Sequence, residues 1–228
     1  MNRALSKLGV LSRAQATAAI LAGRVRVRGR VVRAPATLVT PETDSIDIDG
    51  RRARRTAWRT ILFHKPRGVV TTRNDPEGRP TIYSVLGDVG EGLVAVGRLD
   101  FATTGLLLLT SDTRLAHWLT DPANGIPRLY VVTVRGRVTR DAIASLAGRV
   151  RLRKASERES HLLVELREGR NRQVRRMFDD IGYEVTSLRR VRFGRLELGA
   201  LAPGAHKEIV RNEIANAFPG APLREVLS

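Results

Sequence analysis

The chain has 228 residues, 42% of them hydrophobic, enough for a real core in one large domain or in a small domain joined to a medium one. It contains no cysteine, which excludes disulfides and thiolate metal sites, and no apolar run near the roughly 18 residues of a membrane-spanning helix. Forty Lys and Arg residues against 23 Asp and Glu leave a net charge of +17, which points to a polyanion: nucleic acid is favoured over an anionic membrane, because no basic amphipathic helix is evident.

Residues 1–50 read as a small unit of their own. Leu5 and Leu8 mark a short first helix stopped by Gly9. Ser12 reads as the cap of a second helix, with Gln15 at the capping-box position, Ala16, Ala19 and Ile20 on one face, and Gly23 at its end. A hairpin follows in residues 24–31, with Gly29 at the turn. Alternation puts Val25, Val27 and Val31 on one side and Arg24, Arg26, Arg28 and Arg30 on the other. Ile46 and Ile48 form another short strand, closed by Asp49-Gly50.

Residues 1–60 hold 13 basic and 4 acidic side chains. Arginines crowded at 24, 26, 28, 30 and 33 repel one another unless an anion lies nearby. The lack of acid before Glu42 is also a transit-peptide composition, but the compact-domain pattern outweighs it. Residues 51–59, opening Arg51-Arg52-Ala53-Arg54-Arg55, read as a basic linker.

From Thr60 onward the pattern is many short strands with few helices. Strands are expected at 60–63, 68–72, 93–97, 105–110, 129–134, 161–167, 185–192 and 207–210. Helices are expected at 112–120, 140–147 and 172–181, the first capped by Ser111 and ended by Asp121-Pro122. Turns separate the strands and few are bracketed by helices, which predicts an α+β domain on a mainly antiparallel, mixed sheet.

No phosphate-binding or dinucleotide-binding glycine motif and no metal-spaced histidines occur, so neither cofactor nor metal is expected. The strongest run is residues 96–110, Val-Gly-Arg-Leu-Asp-Phe-Ala-Thr-Thr-Gly-Leu-Leu-Leu-Leu-Thr. Asp100 sits there in a tight connection between Leu99 and Phe101. A partly desolvated carboxylate needs a cationic partner to stay ionised. From spacing alone, a turn aspartate bonding its own backbone is the favoured reading.

The resemblance of the chain to known proteins reverses that weighting. Leu11-Ser12-Arg13-Ala14 and the stretch Gly23 to Val32 resemble the S4 domain, an RNA-binding module. Gly97-Arg98-Leu99-Asp100, with the Thr-x-Gly and leucine run after it, resembles the signature of pseudouridine synthases. It is similar in particular to the bacterial ribosomal RNA family that begins with an S4 domain. Lys65-Pro66-Arg67-Gly68, the Asp75-Pro76-Glu77-Gly78-Arg79-Pro80-Thr81 loop, Tyr130 in Arg128-Leu129-Tyr130, and Glu168-Gly169-Arg170-Asn171-Arg172-Gln173-Val174-Arg175-Arg176-Met177 resemble further parts of it. The departure is Arg128, where the family has lysine.

The resemblance implies an S4-like RNA-binding domain over 1–50 and a catalytic domain over 60–228. It implies conversion of uridine to pseudouridine in ribosomal RNA, with Asp100 as the catalytic carboxylate. Three routes are compatible with that role: attack on the sugar, attack on the base, or assistance to a glycal. Tyr130 would stack on uracil and assist loss of the C5 proton. Arg175 would keep Asp100 ionised, and Arg98 would fill the gap left by the extruded base. Arg13, Arg24, Arg26, Arg28, Arg30, Lys65, Arg172 and Arg176 are the expected RNA contacts. The partner expected is ribosomal RNA or a pre-ribosomal particle, met by a monomer in the cytoplasm, without membrane. The 75–81 loop looks more like large-subunit members. A non-catalytic ribosome-assembly factor is the alternative, and a DNA-binding protein a weaker one for want of a recognition helix.

Overall fold

The computed structural model describes residues 1–223 except 9, 12, 42, 54–56, 145 and 147–149. The expected Gly9 stop, Ser12 cap and linker residues Arg54 and Arg55 lie outside the described residues. The elements in order are α1 (Asn2–Lys7), α2 (Arg13–Leu21), β1 (Val25–Val27), β2 (Arg30–Val32), β3 (Ile46–Ile48), β4 (Arg51–Arg52), β5 (Thr60–Lys65), α3 (Ile82–Leu86), β6 (Val94–Ala95) and β7 (Thr104–Thr110). There follow α4 (Thr113–Thr120), β8 (Arg128–Arg135), α5 (Arg140–Ala144), β9 (Val150–Ala155), β10 (Glu159–Leu166), α6 (Gln173–Asp179), β11 (Val185–Phe193), β12 (Leu196–Glu197), β13 (His206–Glu208) and α7 (Arg211–Ala217).

Two compact units form. One comprises Met1–Arg59 with Gly92–Val94 and Thr110–Thr113, the other the remaining residues. In the first, α1 and α2 pack with a four-stranded sheet ordered β2-β1-β3-β4. Its core is Met1, Leu5, Ala16, Ala19, Ile20, Val25 and Ile46, so the apolar face expected on the second helix is the buried one.

The hairpin differs from simple alternation. Arg28 and Gly29 both have positive φ, 48° and 78°, and close a two-residue loop that pairs Val27 with Arg30 and Val25 with Val32. Glycine takes such a φ without strain and arginine does not. A two-residue loop shifts parity across the turn. Arg30 therefore shares a face with Val25 and Val27, and Val31 stands opposite Arg26, half exposed at 43%. Arg51 and Arg52, expected in the linker, pair as β4 with β3.

The second unit is built on a mixed nine-stranded sheet. Its path is β13-β5-β7-β11-β8-β10-β9, with β12 on β11 and β6 on β7. β8, β10 and β11 pair antiparallel, whereas β7 and β11 run parallel through Gly105↔Arg190. β7 buries the whole span from Gly105 to Thr110, as expected of a continuous apolar central strand. β8 and β10 alternate, burying Arg128, Tyr130, Val132 and Val134 against Leu162, Val164 and Leu166.

Some elements differ from expectation. Residues 68–72 make one isolated bridge, Val70↔Thr81, because Gly68 turns the chain at φ 77°. The Ser111 hydroxyl donates to the Ala57 carbonyl and accepts from the Arg59 N–H, so it ties down that segment instead of capping α4. β9, β12, α3 and α7 were not expected. β9 carries Arg151, Arg153 and Lys154, which mask its alternation, and the others are too short to show a period. Among the described residues no helix is long and apolar enough to cross a membrane.

Candidate active site

Asp100 lies in the connection from β6 to β7, and the backbone around it is held on several sides. The Thr71 hydroxyl donates to the Leu99 carbonyl at 2.8 Å, and the Gly68 N–H donates to the Phe101 carbonyl at 2.9 Å. The Thr103 N–H donates to the Asp100 carbonyl at 3.1 Å. The carboxylate itself takes no part in this turn. Its Oδ1 is buried without a hydrogen-bond partner among the described residues. Oδ2 stands 3.6 Å from Nε of Arg175, an ion-pair distance too long for a hydrogen bond. A buried acceptor left empty requires an explanation, and chemistry is one.

Arg175 reaches Asp100 from α6. Val174 and Phe178 bury the apolar face of that helix, with Met177 and Ile181 partly buried beside them. Arg175 is off that stripe yet buried, with its side chain 11% exposed and its Nη1 donating to the Val185 carbonyl at 2.9 Å. That bond anchors one end of the fork and leaves Nε facing the carboxylate.

Lys65, expected to contact RNA, does not face solvent. It is fully buried at the end of β5, and its ammonium donates to the carbonyls of Thr103 at 2.9 Å and Pro66 at 3.0 Å. Burial pushes its pKa down to about 8, and the charge of Asp100 pulls it partly back. It therefore secures the loop that carries Asp100.

Tyr130, on β8, is opposite Val164 of β10 and Arg190 of β11, and is buried, with 9% of its surface exposed. Asp100, Arg98, Tyr130 and Arg172 all line one cleft of about 630 Å³. Arg98 and Arg172 are exposed there, and Arg172, at φ 50°, is the residue just before α6. Arg176 is exposed but outside the cleft lining. Spacing alone showed neither Arg128 nor Arg190 as a buried cleft arginine, since alternating strands give no sign of one. Arg128 donates to the carbonyls of Ile126, Arg167 and Leu119. Burial, then the charge of Arg190, lowers its pKa. Arg190 donates to the Leu106 carbonyl at 2.7 Å. These buried cations make the cleft electropositive.

In the first unit Arg13, Arg24, Arg26, Arg28 and Arg30 are exposed. The anions that relieve their crowding are internal. Arg24 makes two bonds to Asp49, and Arg28 two to Asp44. Both aspartates are held below the usual carboxylate range, Asp49 first by its Arg24 bond, Asp44 first by the Thr40 N–H. Among the described residues no cluster of three His, Asp or Glu side chains could hold a metal.

A mixed α+β sheet carrying an unsatisfied carboxylate in an arginine-lined cleft, in a chain that also holds a basic hairpin module, defines an enzyme that works on a polyanion. Residues 59–180 match the RNA pseudouridylate synthase family and residues 2–45 the S4 domain. The chain belongs to the RNA pseudouridine synthases. It is 33% identical over 99% of its length to an uncharacterized RNA pseudouridine synthase of Aquifex aeolicus, covering 96% of that protein. It is 32% identical to the ribosomal large subunit pseudouridine synthase B of Bacillus subtilis, over 94% of this chain and 93% of the relative. A solved pseudouridylate synthase structure superposes with a TM-score of 0.65 at 28% identity, covering 95% of this chain and 98% of that one.

Proposed function

We propose that this enzyme isomerises uridine in large-subunit ribosomal RNA, with Asp100 acting on a nucleotide drawn out of its RNA structure. The observation that carries the reading is the buried, unpartnered Oδ1 of Asp100 at an arginine-lined cleft. The ribosomal substrate is supported by the Bacillus subtilis relative and by the exposed arginines of the hairpin.

Uracil is inaccessible while stacked, so extrusion comes first, at a cost of a few kcal/mol. Arg98 enters the space that the base leaves. Tyr130 offers its ring face to uracil with its hydroxyl at the polar end. The N1–C1′ bond breaks, the uracil turns, C5 bonds to C1′ and gives up its proton, and the freed N1 takes up a proton. Atoms are conserved, so no redox carrier is consumed. Arg175 balances the Asp100 charge, and Arg172 and Arg176 contact phosphate. Arg13, Arg24, Arg26, Arg28 and Arg30 bind RNA through its phosphates.

The test is tritium release from ribosomal RNA labelled at uridine C5. Asp100→Asn is expected to release none while still binding the RNA; full release by the variant overturns the assignment. Mapping pseudouridines in ribosomal RNA with and without the gene identifies the subunit.

A further inference from the structure

Phe101 follows the catalytic carboxylate directly, and it is the wrong kind of residue to leave in water. The other four phenylalanines, Phe63, Phe178, Phe193 and Phe218, are at most 2% exposed, whereas Phe101 is 45% exposed. Isolated exposed apolar residues are common on any protein. This one differs in its place, since it lines the same cleft as Asp100. Its backbone is held by the Gly68 N–H, so the ring is presented from a fixed point.

A second observation concerns the 75–81 loop, to which the reaction itself gives no task. Asp75 accepts two bonds from the Arg79 guanidinium, at 2.7 and 3.1 Å, and one from the Arg79 backbone N–H at 2.9 Å. Glu77 adds an ion pair to the same guanidinium. The Asp75 side chain is 5% exposed, while Arg79 keeps 38% of its side chain in solvent. The acid is therefore committed to fixing the arginine, and the arginine is presented outward. Its guanidinium carbon stands 6.0 Å from the centre of the Phe101 ring, at the outer reach of a cation–π contact, and Arg79 also lines the cleft.

We propose that Phe101 and Arg79 form a stacking platform for an unpaired base beside the target uridine. Every base has a π-face, and both an aromatic ring and a guanidinium plane stack on it. Arg98 takes the space that the target leaves, and Phe101, one residue from Asp100, offers a separate stacking face to the unpaired base next to it. The platform deepens the proposed function and rests on it. It assigns the holding of the flanking nucleotide to the loop and the ring, whatever its base, while Asp100, Tyr130 and Arg175 act on the uridine.

The experiment combines kinetics on C5-tritiated large-subunit ribosomal RNA with fluorescence of the full chain. Phe101→Ala is expected to lower kcat/KM roughly 10- to 100-fold, mainly through KM, as loss of one base–aromatic stack predicts. Phe101→Leu keeps apolar bulk without the ring and is expected to resemble Ala, whereas Phe101→Trp is expected to stay within about threefold of wild type. Added indole emission in Phe101→Trp should be quenched when the RNA transcript is titrated, also in an Asp100→Asn background. Wild-type kinetics in Phe101→Leu, or unquenched emission on a bound transcript, overturns the platform and leaves the proposed function standing. A wild-type enzyme that releases no tritium from ribosomal RNA overturns both.

Discussion

Nε of Arg175 lies 3.6 Å from Oδ2 of Asp100, while Nη1 of the same guanidinium is spent on the Val185 carbonyl. One fork thus joins β11 to the carboxylate, which a point charge on a flexible stem does not do. Arg175→Lys is expected to lower kcat about 10- to 100-fold, and Arg175→Met about 100- to 1000-fold, with RNA affinity within a few-fold. Single-turnover tritium release measures both; a lysine variant at full rate would show that charge alone suffices.

Tyr130 is expected to divide into a ring function and a hydroxyl function. Tyr130→Phe retains stacking and loses about 100-fold or more in the chemical step, as removal of a general acid–base group does. Tyr130→Leu loses stacking as well. Equal rates for Phe and wild type would leave the hydroxyl without a part in the reaction.

Lys65 sets a pH dependence of stability. Its folded pKa of about 8 is below the ordinary 10.5, so the unfolded chain holds more protons between those values. The cost of burying the ammonium is fully present below pH 8 and is relieved as pH rises towards 10.5. Urea unfolding at pH 7, 9 and 10 should therefore show wild type gaining stability relative to Lys65→Met. Parallel pH curves for the two proteins would contradict a depressed Lys65.

Gly105 has φ 108°, and a β-carbon there would lie 2.2 Å from the Arg190 carbonyl oxygen. That contact is the parallel bridge between β7 and β11, so neither backbone can retreat without breaking the sheet. Gly105→Ala is expected to cost roughly 3–5 kcal/mol, read from urea midpoints. A cost below about 1 kcal/mol would contradict the close approach.

In the hairpin, Arg26 and Arg30 are exposed, whereas Arg24 and Arg28 are engaged with Asp49 and Asp44. The Arg26→Gln/Arg30→Gln double variant should reduce the salt slope of RNA binding by about 1.5, and Arg24→Gln/Arg28→Gln by less. Deleting residues 1–50 should weaken binding and flatten the slope further. An unchanged slope in all three would mean that these arginines face only solvent.

The parts legible in the sequence are those written in local periodicity. The apolar face of α2, the alternation of β8 and β10 and the leucines of β7 each follow from which residues recur at which spacing. The Gly97–Asp100 run was legible too, through its resemblance, although its spacing alone pointed to a turn aspartate. Local pattern misled where a turn changed the parity, at Arg30 and Val31, and where a charge was buried, at Lys65. A lysine in sequence looks available to phosphate, and only packing shows its ammonium closed off by two carbonyls.

By itself, then, the sequence determined the basic character of the protein, its two-part order and most of its strands, and it singled out the carboxylate proposed to act. These depend on composition, on nearest-neighbour pattern and on a run of adjacent residues. The tertiary structure decided which cations meet that carboxylate, which arginines are buried and which phenylalanine is left facing the cleft. Those are contacts between residues as far apart as 100 and 175, and they exist only because a mixed sheet brings β7, β8 and β11 side by side. A charge or a ring acquires its role from the solvent removed around it, and burial is a property of the folded chain.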